Sequence, residues 1–590
     1  MDFLSRLLTA AEDLREAPHY KRVGNALARA GSSVRPAGFV IRQQAELFPD
    51  RVFLRFDDTS VSFGAFNEGV NRYAHVLRRL GVERGEPVAV LMENSADFLM
   101  AQGAIAKHGA IGALINTAVR GDSLAHVLGA SGARVVLADA HCSNSLAQLP
   151  PSPNRVLYGA GPGCVDLRTA WEESSPGEPD LADVGLGDVY LYIYTSGTTG
   201  YPKAAIVRHA RFTMGGLSLA VVLGLENGDC SYAPTPLYHG YSNFVGFAPA
   251  LYSGTAFASR RKFSARHFLS DVRRTSATHF LYVGELCRYL LNQTPTPYDR
   301  AHRLRMATGP GLRPDIWRQF MERYGIERVI ETYGQTEANV SLMNRRGRVG
   351  SIGRPPPGSH RDLRLVRFDP DQQAPLRNEA GRLEECRPGE VGELISVISG
   401  KTRMSFDGYV NASDNEQKLL RDCFTAGDIY LRTGDLMRRD RAGYYYFVDR
   451  VGDTFRWKGE NVSTAEIAER LNAAPGVGET AVYGVAVPGA EGRAGMALVV
   501  LRNGEEFDPR AYYRFVATTL PNYAQPLFVR LAASMDVTGT LKHSKRRLQA
   551  EGYDPGEGSD PIYFRDDSAA TYVLVDASLR RRIESGQIRI

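Results

Sequence analysis

From about residue 87 onward, the chain alternates short apolar segments with segments of helical periodicity, and this pattern restricts the fold more than any other feature. The predicted strands are 88–92, 113–115, 135–137, 278–282, 304–308 and 329–331, and the predicted helices are 97–108, 123–130, 285–292 and 315–324. Neighbouring parallel strands need crossover helices, so the alternation predicts layered parallel α/β sheets. Glycine and polar residues at 309–311 and 332–337 follow two of these strands, at the edge where such sheets bind ligands.

Composition narrows the class of protein. The 590 residues are 43% hydrophobic, which predicts more than one domain and an ample core. The net charge is only +5, from 71 basic and 66 acidic residues, so the sequence gives no indication of nucleic-acid binding. The 6 cysteines show no CxxC pairs or regular spacing, which argues against a disulfide framework and against a zinc site. A cytoplasmic location is therefore predicted.

The first 23 residues place apolar side chains at helical spacing between charged ones. This pattern predicts an amphipathic helix rather than a signal peptide, whose apolar region would be unbroken. Docking of the helix on the body of the protein is the first interpretation, and contact with the inner surface of a membrane is the second. No uncharged apolar run reaches the length of about 18 residues that a membrane-spanning helix needs.

A loop rich in glycine and hydroxyl groups, at 194–203, directly follows an apolar, strand-like run. Glycine lets backbone N–H groups approach anionic oxygens, hydroxyls add donors and lysine adds positive charge, so this loop can wrap a polyphosphate. A polar hairpin loop is the alternative interpretation. The loop does not fit the GxxxxGK[ST] pattern, because only two residues separate its glycines. The candidate phosphate-binding residues are Thr195, Ser196, Gly197, Thr198, Thr199, Gly200 and Lys203.

The order of residues in this loop, YTSGTTGYPKAA, resembles the phosphate loop of the adenylate-forming enzymes, which include acyl-CoA synthetases, peptide-synthetase adenylation domains and beetle luciferases. Further motifs follow in the order of that superfamily, at 331–337, 432–435, 449–461 and 539–542. Residues 283–293, 311–317 and 452–462 resemble the branch of fatty-acid transport proteins and very-long-chain acyl-CoA synthetases. Two residues depart from the usual pattern of that branch, since Pro310 replaces an asparagine and Ala338 replaces a glycine.

The resemblance implies roles for individual residues. Tyr333 would lie against the purine, Thr336 would contact phosphate and Glu337 would hold Mg²⁺, tasks that suit an aromatic face, a hydroxyl and a hard carboxylate. Asp435 would accept hydrogen bonds from the ribose hydroxyls. Lys542 would be the catalytic lysine, and Thr195 and Glu337 would also be catalytic residues. Taken singly, Tyr333 could be a core aromatic residue, Asp435 a turn former and Lys542 a surface charge. The remaining implied cofactor-binding residues are Gly309, Pro310, Glu331, Thr332, Arg450, Lys458, Gly459 and Glu460.

The resemblance also implies a fold and a division into domains. The fold would be α/β, with a large N-terminal domain of layered α/β subdomains at 1–449 that binds AMP and the acyl group. A hinge at 450–453, centred on Gly452, would lead to a small mobile α+β domain at 454–590, which carries Lys542 and a loop facing CoA. The change in pattern near residue 450, where the chain becomes a shorter α+β stretch, agrees with this division.

The implied activity is that of an AMP-forming acyl-CoA ligase, which uses ATP, Mg²⁺ and coenzyme A to convert a carboxylic acid first to an acyl-adenylate and then to a thioester. One alternative is a relative that only thioesterifies an acyl-adenylate made by another enzyme. A second alternative is a membrane-associated protein that binds or takes up fatty acids, although the full set of ATP motifs argues for CoA coupling. A homodimer is compatible with the sequence.

An aromatic segment at 236–244 corresponds to the superfamily's acyl-pocket border, and its His239, Tyr241 and Phe244 are candidate substrate contacts together with Gly284 and Gly309. Taken alone, His239 could equally be a structural histidine. The aromatic side chains favour an apolar acid, such as a long-chain fatty acid or another bulky acid. The segment has no acidic residue to pair with a substrate ammonium, which disfavours an amino-acid substrate.

We predict that Lys542→Ala abolishes formation of acyl-adenylate but largely preserves thioester formation from preformed adenylate. The positive charge is needed while the α-phosphate reacts, and loss of one such electrostatic donor typically costs on the order of 10²–10³-fold in rate. The two half-reactions, assayed separately, provide the measurement. Equal losses in both would contradict the assignment and would indicate that Lys542 supports the fold.

Overall fold

A computed structural model describes most of the chain, at residues 3–31, 34–149, 156–159, 165–180, 183–195, 202–338, 340–370, 372–398, 406–457, 460–488, 492–535, 545–554 and 560–588. The chain forms two compact units. The first unit consists of Leu7–Asp362 and Ile398–Leu419, and the second consists of Met1–Arg6, Leu363–Val397 and Leu420–Ile590.

Within the described residues, the first unit contains fourteen strands, thirteen α-helices, a π-helix at Ser242–Phe247 and a short 3-10 helix at His360–Asp362. The helices are α1 (Phe3–Ala30, which begins in the second unit), α2 (Ala37–Leu47), α3 (Phe63–Arg79), α4 (Ala96–His108), α5 (Gly121–Ser131), α6 (Ala140–Ala147), α7 (Leu167–Glu172), α8 (His209–Leu223), α9 (Ala248–Ser253), α10 (Phe268–Arg274), α11 (Gly284–Leu291), α12 (Pro314–Tyr324) and α13 (Ala412–Glu416). The strands are β1 (Val52–Phe56), β2 (Thr59–Ser62), β3 (Pro87–Leu91), β4 (Ile111–Leu114), β5 (Val135–Ala138), β6 (Val156–Tyr158), β7 (Val189–Thr195), β8 (Lys203–Arg208), β9 (Cys230–Tyr232), β10 (Ala256–Ser259), β11 (His279–Leu281), β12 (Met306–Gly309), β13 (Arg328–Gly334) and β14 (Ser341–Asn344).

Two mainly parallel sheets organise the first unit and confirm the predicted α/β layering. A six-stranded sheet has the order β6-β5-β3-β4-β7-β8, and only its edge strand β8 is antiparallel. An eight-stranded sheet has the order β14-β13-β12-β11-β9-β10-β1-β2, with antiparallel strands at its two edges. All ten elements predicted from the alternation are present, with ends shifted by a few residues. The polar loops after β12 and β13 therefore leave the carboxyl edge of a parallel sheet, as predicted.

Local sequence explains why these elements begin and end where they do. The Ser95 side chain accepts the backbone N–H of Phe98 and caps the start of α4, and Gly109 ends that helix at a φ of +75°. Strand β3 is apolar along its length because both faces of the sheet are covered. One continuous hydrophobic core includes side chains from both sheets and from α2, α3, α4 and α9.

Helix α1 docks on the first unit, as predicted, but it does so through its charged face. Glu16 forms an ion pair with Arg345 at 2.6 Å, and Asp13 contacts both Arg354 at 2.8 Å and His360 at 2.9 Å. The opposite face presents apolar side chains to solvent, with exposures of 49% for Leu4, 52% for Leu7, 40% for Leu8 and 75% for Leu14. Within the described residues, no helix is long and apolar enough to cross a membrane.

The second unit is an α+β assembly of mainly antiparallel strands. Its helices are α14 (Thr464–Leu471), α15 (Pro509–Thr519), α16 (Lys545–Glu551) and α17 (Ala577–Glu584). Its strands are β15 (Leu363–Val366), β16 (Phe368–Asp369), β17 (Ala374–Pro375), β18 (Val391–Val397), β19 (Leu419–Arg421), β20 (Ile429–Arg439), β21 (Tyr445–Arg450), β22 (Phe455–Trp457), β23 (Glu460–Val462), β24 (Val477–Val485), β25 (Ala494–Leu501), β26 (Phe528–Leu531), β27 (Ile562–Asp566) and β28 (Thr571–Leu574).

The described part of the second unit contains two five-stranded sheets and two two-stranded sheets, β16–β17 and β22–β23. Strands β15, β18, β20, β19 and β21 form one sheet, and β24 to β28 form another in sequence order. The predicted hinge at 450–453 begins at the last residue of β21 and ends before β22, inside this unit. The predicted division into domains at residue 450 remains a prediction.

Candidate functional site

The phosphate loop predicted from the sequence is bounded by a β-hairpin. Thr195 is the last residue of β7 and Lys203 is the first residue of β8, and the two face each other in the antiparallel register. The pairing therefore fixes both ends of the loop close together. The predicted loop residues Ser196, Gly197, Thr198, Thr199 and Gly200 lie outside the described residues.

Strand β13 delivers the second predicted motif to the carboxyl edge of the eight-stranded sheet. Glu331, Thr332 and Tyr333 lie on this strand, and Thr336 and Glu337 follow it in a loop. The buried guanidinium of Arg211, on α8, holds this loop by donating to the backbone carbonyls of Gln335 and Ala338, each at 2.9 Å. Burial lowers the pKa of Arg211, and the nearby carboxylates Asp407 and Glu337 oppose this effect.

A segment from a distant part of the chain contacts two of the predicted site residues. The Tyr409 hydroxyl donates to the Glu337 carboxylate at 2.9 Å, and the Lys418 ammonium lies 3.8 Å from the same carboxylate. Asp414 forms an ion pair with Lys203 at 2.8 Å. Burial, and then the charge of Glu337, raise the pKa of Tyr409, so its phenol stays protonated and acts as the donor.

Sequence analysis did not identify these contacts. Tyr409 and Glu337 are 72 positions apart, and no periodicity or motif relates them. The sequence signal that could have drawn attention to the segment is the group Asp407-Gly408-Tyr409, where a glycine allows an unusual turn beside an aromatic hydroxyl.

Glu331 is fully enclosed and holds the adjacent loop rather than facing solvent. Its carboxylate accepts the Tyr282 hydroxyl at 2.6 Å, the backbone N–H of Leu312 at 3.1 Å, and a short hydrogen bond from the backbone N–H of Gly311. Burial raises the pKa of Glu331 from 4.5 to about 8, and these three donors only partly oppose the shift. The carboxylate thereby ties β13 to the loop after β12, which includes the predicted cofactor-binding residues Gly309 and Pro310.

Close backbone packing surrounds that loop. A Cβ atom on Gly284 would lie 1.7 Å from the Gly311 carbonyl oxygen, and one on Gly309 would lie 2.3 Å from Tyr282. The Gly284 N–H also donates to the Pro310 carbonyl at 3.0 Å. Glycine is therefore required at both predicted contact positions, because any side chain would separate the loop from the end of β11.

The predicted acyl-binding segment lies against the nucleotide motif. A Cβ atom on Gly240 would lie only 2.9 Å from the Thr336 hydroxyl, so the two segments touch at this point. Half-buried Tyr241 donates to the carbonyl of Thr308 at 2.5 Å, and the Phe244 ring lies 6.1 Å from the Phe212 ring, edge to face. His239 packs beside Tyr238, with ring centroids 4.6 Å apart.

The remaining predicted residues belong to the second unit. Asp435 on β20 faces Arg450 on β21, with 3.9 Å between carboxylate and guanidinium. Gly452 adopts a φ of +93°, a conformation that favours glycine, and Glu460 begins β23 on the surface. The Asp449 carboxylate accepts the backbone N–H of Thr464 at 2.6 Å, which joins β21 to α14 across the predicted hinge. Three predicted residues, Lys458, Gly459 and Lys542, lie outside the described residues.

The residues of the first unit fit a bound magnesium nucleotide. Glu337 offers a buried hard carboxylate, and Thr195, Thr336 and Lys203 offer hydroxyl and ammonium groups suited to phosphate. No group of three or more His, Cys, Asp or Glu residues suited to a metal occurs in the described part of the chain. Glu337 alone is still suitable, because Mg²⁺ commonly takes one or two carboxylates together with substrate phosphates and water.

Comparison with known proteins agrees with this geometry. A family model described as AMP-binding enzyme matches residues 41–409, and one described as AMP-binding enzyme C-terminal domain matches residues 466–542. The chain belongs to the AMP-binding enzyme family. Long-chain fatty acid transport protein 6 of Mus musculus is 37% identical to this AMP-binding enzyme. The match covers 92% of this chain and 89% of the relative. Medium/long-chain-fatty-acid–CoA ligase FadD6 of Mycobacterium tuberculosis is 38% identical over 95% and 93% of the two chains.

Solved structures share the fold of this AMP-binding enzyme. The anthranilate CoA ligase AuaEII in complex with anthranoyl-AMP superposes with a TM-score of 0.74 at 22% identity, covering 88% of this chain and 97% of that one. ATP-bound MatB from Rhodopseudomonas palustris superposes with a TM-score of 0.74 at 24% identity, covering 88% and 99%. These findings confirm both the resemblance to adenylate-forming enzymes and the predicted fold class.

We expect Glu331→Gln to remove part of the pH dependence of stability of this AMP-binding enzyme. Because burial raises the folded-state pKa of Glu331 from 4.5 to about 8, the stabilisation from its protonated form is complete below pH 4.5 and is lost as pH rises through about 8. The free energy of unfolding, measured between these pH values, should therefore fall less in the variant. Glu285→Gln, on α11, is the control, and parallel curves for wild type and Glu331→Gln would contradict the prediction.

Proposed function

We propose that this AMP-binding enzyme is an ATP-dependent acyl-CoA ligase that activates a hydrophobic carboxylic acid, with long-chain fatty acids as the first substrate class. The observation that carries the proposal is the contact between Gly240 and Thr336, because it puts the aromatic acyl segment directly beside the nucleotide motif. The names of the relatives, which include a fatty-acid–CoA ligase and fatty acid transport proteins, support the substrate class.

The chemistry explains why these groups are needed. A carboxylate reacts poorly with a thiol, because its negative charge repels the nucleophile and oxide is a poor leaving group. Attack of the carboxylate oxygen on the α-phosphorus of ATP forms an acyl-adenylate and releases pyrophosphate. The CoA sulfur then attacks the acyl carbon, and AMP leaves as the thioester forms.

In the first step, the residues of the first unit bind and orient the two substrates. Thr195 and Lys203 contact phosphate oxygens, Tyr333 lies against the purine, and Tyr241 and Phe244 enclose the hydrocarbon part of the acid. Glu337 would hold Mg²⁺, and the ion would stabilise the charge that develops on phosphate. Lys542 adds a positive charge at the α-phosphate.

In the second step, the C-terminal domain, at 454–590, turns about the 450–453 hinge. The rotation withdraws Lys542 from the active site and presents another face of the domain, which binds CoA through Lys458, Gly459 and Glu460. The left-handed φ of Gly452 supports its role as the pivot, since glycine tolerates large backbone changes. The hinge also falls between the two stretches that the family models match, 41–409 and 466–542. Rotation would break the hydrogen bond between Asp449 and Thr464, so this bond belongs to one of the two orientations.

A panel of carboxylic acids tests the proposed function. With ATP, Mg²⁺ and CoA, the enzyme should release AMP and form acyl-CoA in equal amounts, and long-chain fatty acids should be preferred to aromatic or amino acids. Acyl-CoA formed only from added acyl-adenylate would instead identify the thioesterification-only relative. Fatty-acid binding without either product would identify an uptake or binding protein.

We expect Tyr241→Ala and Phe244→Ala to change the ranking among acids of different size while leaving the apparent affinity for ATP nearly unchanged. Each buried methylene contributes about 0.8 kcal/mol, so an enlarged pocket weakens small acids and tolerates bulkier ones. Titrations of ATP and of a graded acid series provide the measurement. Loss of ATP binding with an unaltered acid ranking would show that these residues do not line the acyl pocket and would place the pocket near Gly284 and Gly309.

The exposed leucines of α1 support peripheral membrane contact. Leu7 and Leu14 lie on the face opposite the docked acidic residues, so they are available to an acyl-chain boundary while the helix stays attached. Flotation with anionic phospholipid vesicles should recover the wild type, and the variant Leu7→Gln/Leu14→Gln should float several-fold less. The matched control is Leu47→Gln/Leu574→Gln, which changes two similarly exposed leucines elsewhere. Equal flotation of all three proteins would exclude this contact.

A further inference from the structure

The segment 406–419 is fixed against the strand that follows the phosphate loop. Its backbone continues the pairing of β8, with hydrogen bonds from Ile206 N–H to the Gly408 carbonyl at 2.9 Å and from Val410 N–H to the Ala204 carbonyl at 3.0 Å. Arg208 on the same strand forms an ion pair with Asp407 at 2.8 Å. The segment therefore acts as a short additional strand whose position follows that of β8.

Asn415 fixes the backbone of Tyr409 from the other side. Its amide oxygen accepts the Tyr409 N–H at 2.7 Å, and its amide nitrogen donates to the Tyr409 carbonyl at 3.1 Å. Gly408 makes this arrangement possible, since a Cβ atom there would lie 2.6 Å from the Asn415 oxygen and the φ of Gly408 is +75°. Hydrogen bonds thus hold the backbone around Tyr409 on both sides, independently of the contacts of its side chain.

The side chain of Tyr409 then reaches across to the loop after β13. It is 4% exposed, and its hydroxyl donates to the Oε1 atom of Glu337, which is 9% exposed. A hydrogen bond to a buried carboxylate is directional and assisted by its charge, and it restrains the orientation of the carboxylate plane. The hydrogen bond from Tyr409 is made to Oε1, so it does not itself use the Oε2 atom of Glu337.

We propose that Tyr409 is a positioning residue for adenylation, which holds the Glu337 carboxylate in the orientation that binds the magnesium nucleotide. The inference rests on the proposed function of Glu337 and goes beyond it by assigning a role to a residue outside the recognised motifs. The same segment contacts Lys203 through Asp414, so it engages both a phosphate-binding and a metal-binding candidate. The position of this one short segment would therefore fix the orientation of both Lys203 and Glu337.

Tyr409→Phe tests the proposal because it deletes only the hydroxyl and keeps the ring and the backbone pairing. We expect the gain in ATP affinity on addition of Mg²⁺, measured by calorimetry, to fall about tenfold, the scale of a lost hydrogen bond to a charged group. ATP affinity in the presence of a chelator should be unchanged. The KM for ATP at limiting Mg²⁺ should rise, while thioester formation from preformed adenylate should stay at the wild-type rate.

Tyr73→Phe is the matched control. Tyr73 is also buried in the first unit and donates to a carboxylate, that of Asp97, at 3.0 Å. Its loss should lower the melting temperature at least as much as Tyr409→Phe does and should leave the response to Mg²⁺ unchanged. Equal responses to Mg²⁺ in wild type and Tyr409→Phe would overturn the proposal, as would the same loss in both tyrosine variants.

Glu337→Gln separates failure of this inference from failure of the proposed function. If Tyr409 acts through Glu337, adding Tyr409→Phe to Glu337→Gln should cause no further loss in the response to Mg²⁺. A full additional loss would show that Tyr409 acts elsewhere and would overturn the inference alone. An unaltered response to Mg²⁺ in Glu337→Gln itself would overturn the metal-binding role of Glu337, and with it the basis of the inference.

Discussion

Parallel pairing of β11, β12 and β13 is the constraint on which the candidate site depends. Because these strands run in one direction, the loops that leave their carboxyl ends meet at one edge of the eight-stranded sheet. The predicted cofactor-binding residues 309–310, the residues that would contact the acid and the carboxylate of Glu337, which is proposed to hold Mg²⁺, come from separate stretches of sequence, and this edge brings them together. The hairpin of β7 and β8, in the other sheet of the same unit, bounds the predicted phosphate loop.

Burial of polar groups explains how those loops are held. Arg211, Glu331 and Glu337 are largely removed from water, and a buried polar or charged group is costly unless it has hydrogen-bond partners. Arg211 satisfies two loop carbonyls, Glu331 accepts two backbone N–H groups, and Tyr409 donates to Glu337. Each bond that stabilises a buried group therefore also fixes a loop of the candidate site.

The sequence predicted the regular elements of the first unit well because they are local properties. Apolar alternation and helical periodicity depend on neighbouring residues, and all ten predicted elements of the first unit are present. Helix α1 shows the limit of such reasoning. Its periodicity predicted a docked amphipathic helix, but Arg345 and Arg354 attract its acidic face and leave its leucines exposed. Which face docks depends on partners more than 300 residues away.

By itself, the sequence determined the fold class, the family and the order of the chemical motifs, because these follow from local pattern and from residues that are fixed in order. Only the tertiary structure decided that Tyr409 and Lys418 contact Glu337, that Asp414 pairs with Lys203, and that Glu331 is enclosed with a raised pKa. The physical reason is that hydrogen bonds, ion pairs and desolvation depend on distances in space, and those distances exist only once distant segments have been brought together by the sheets.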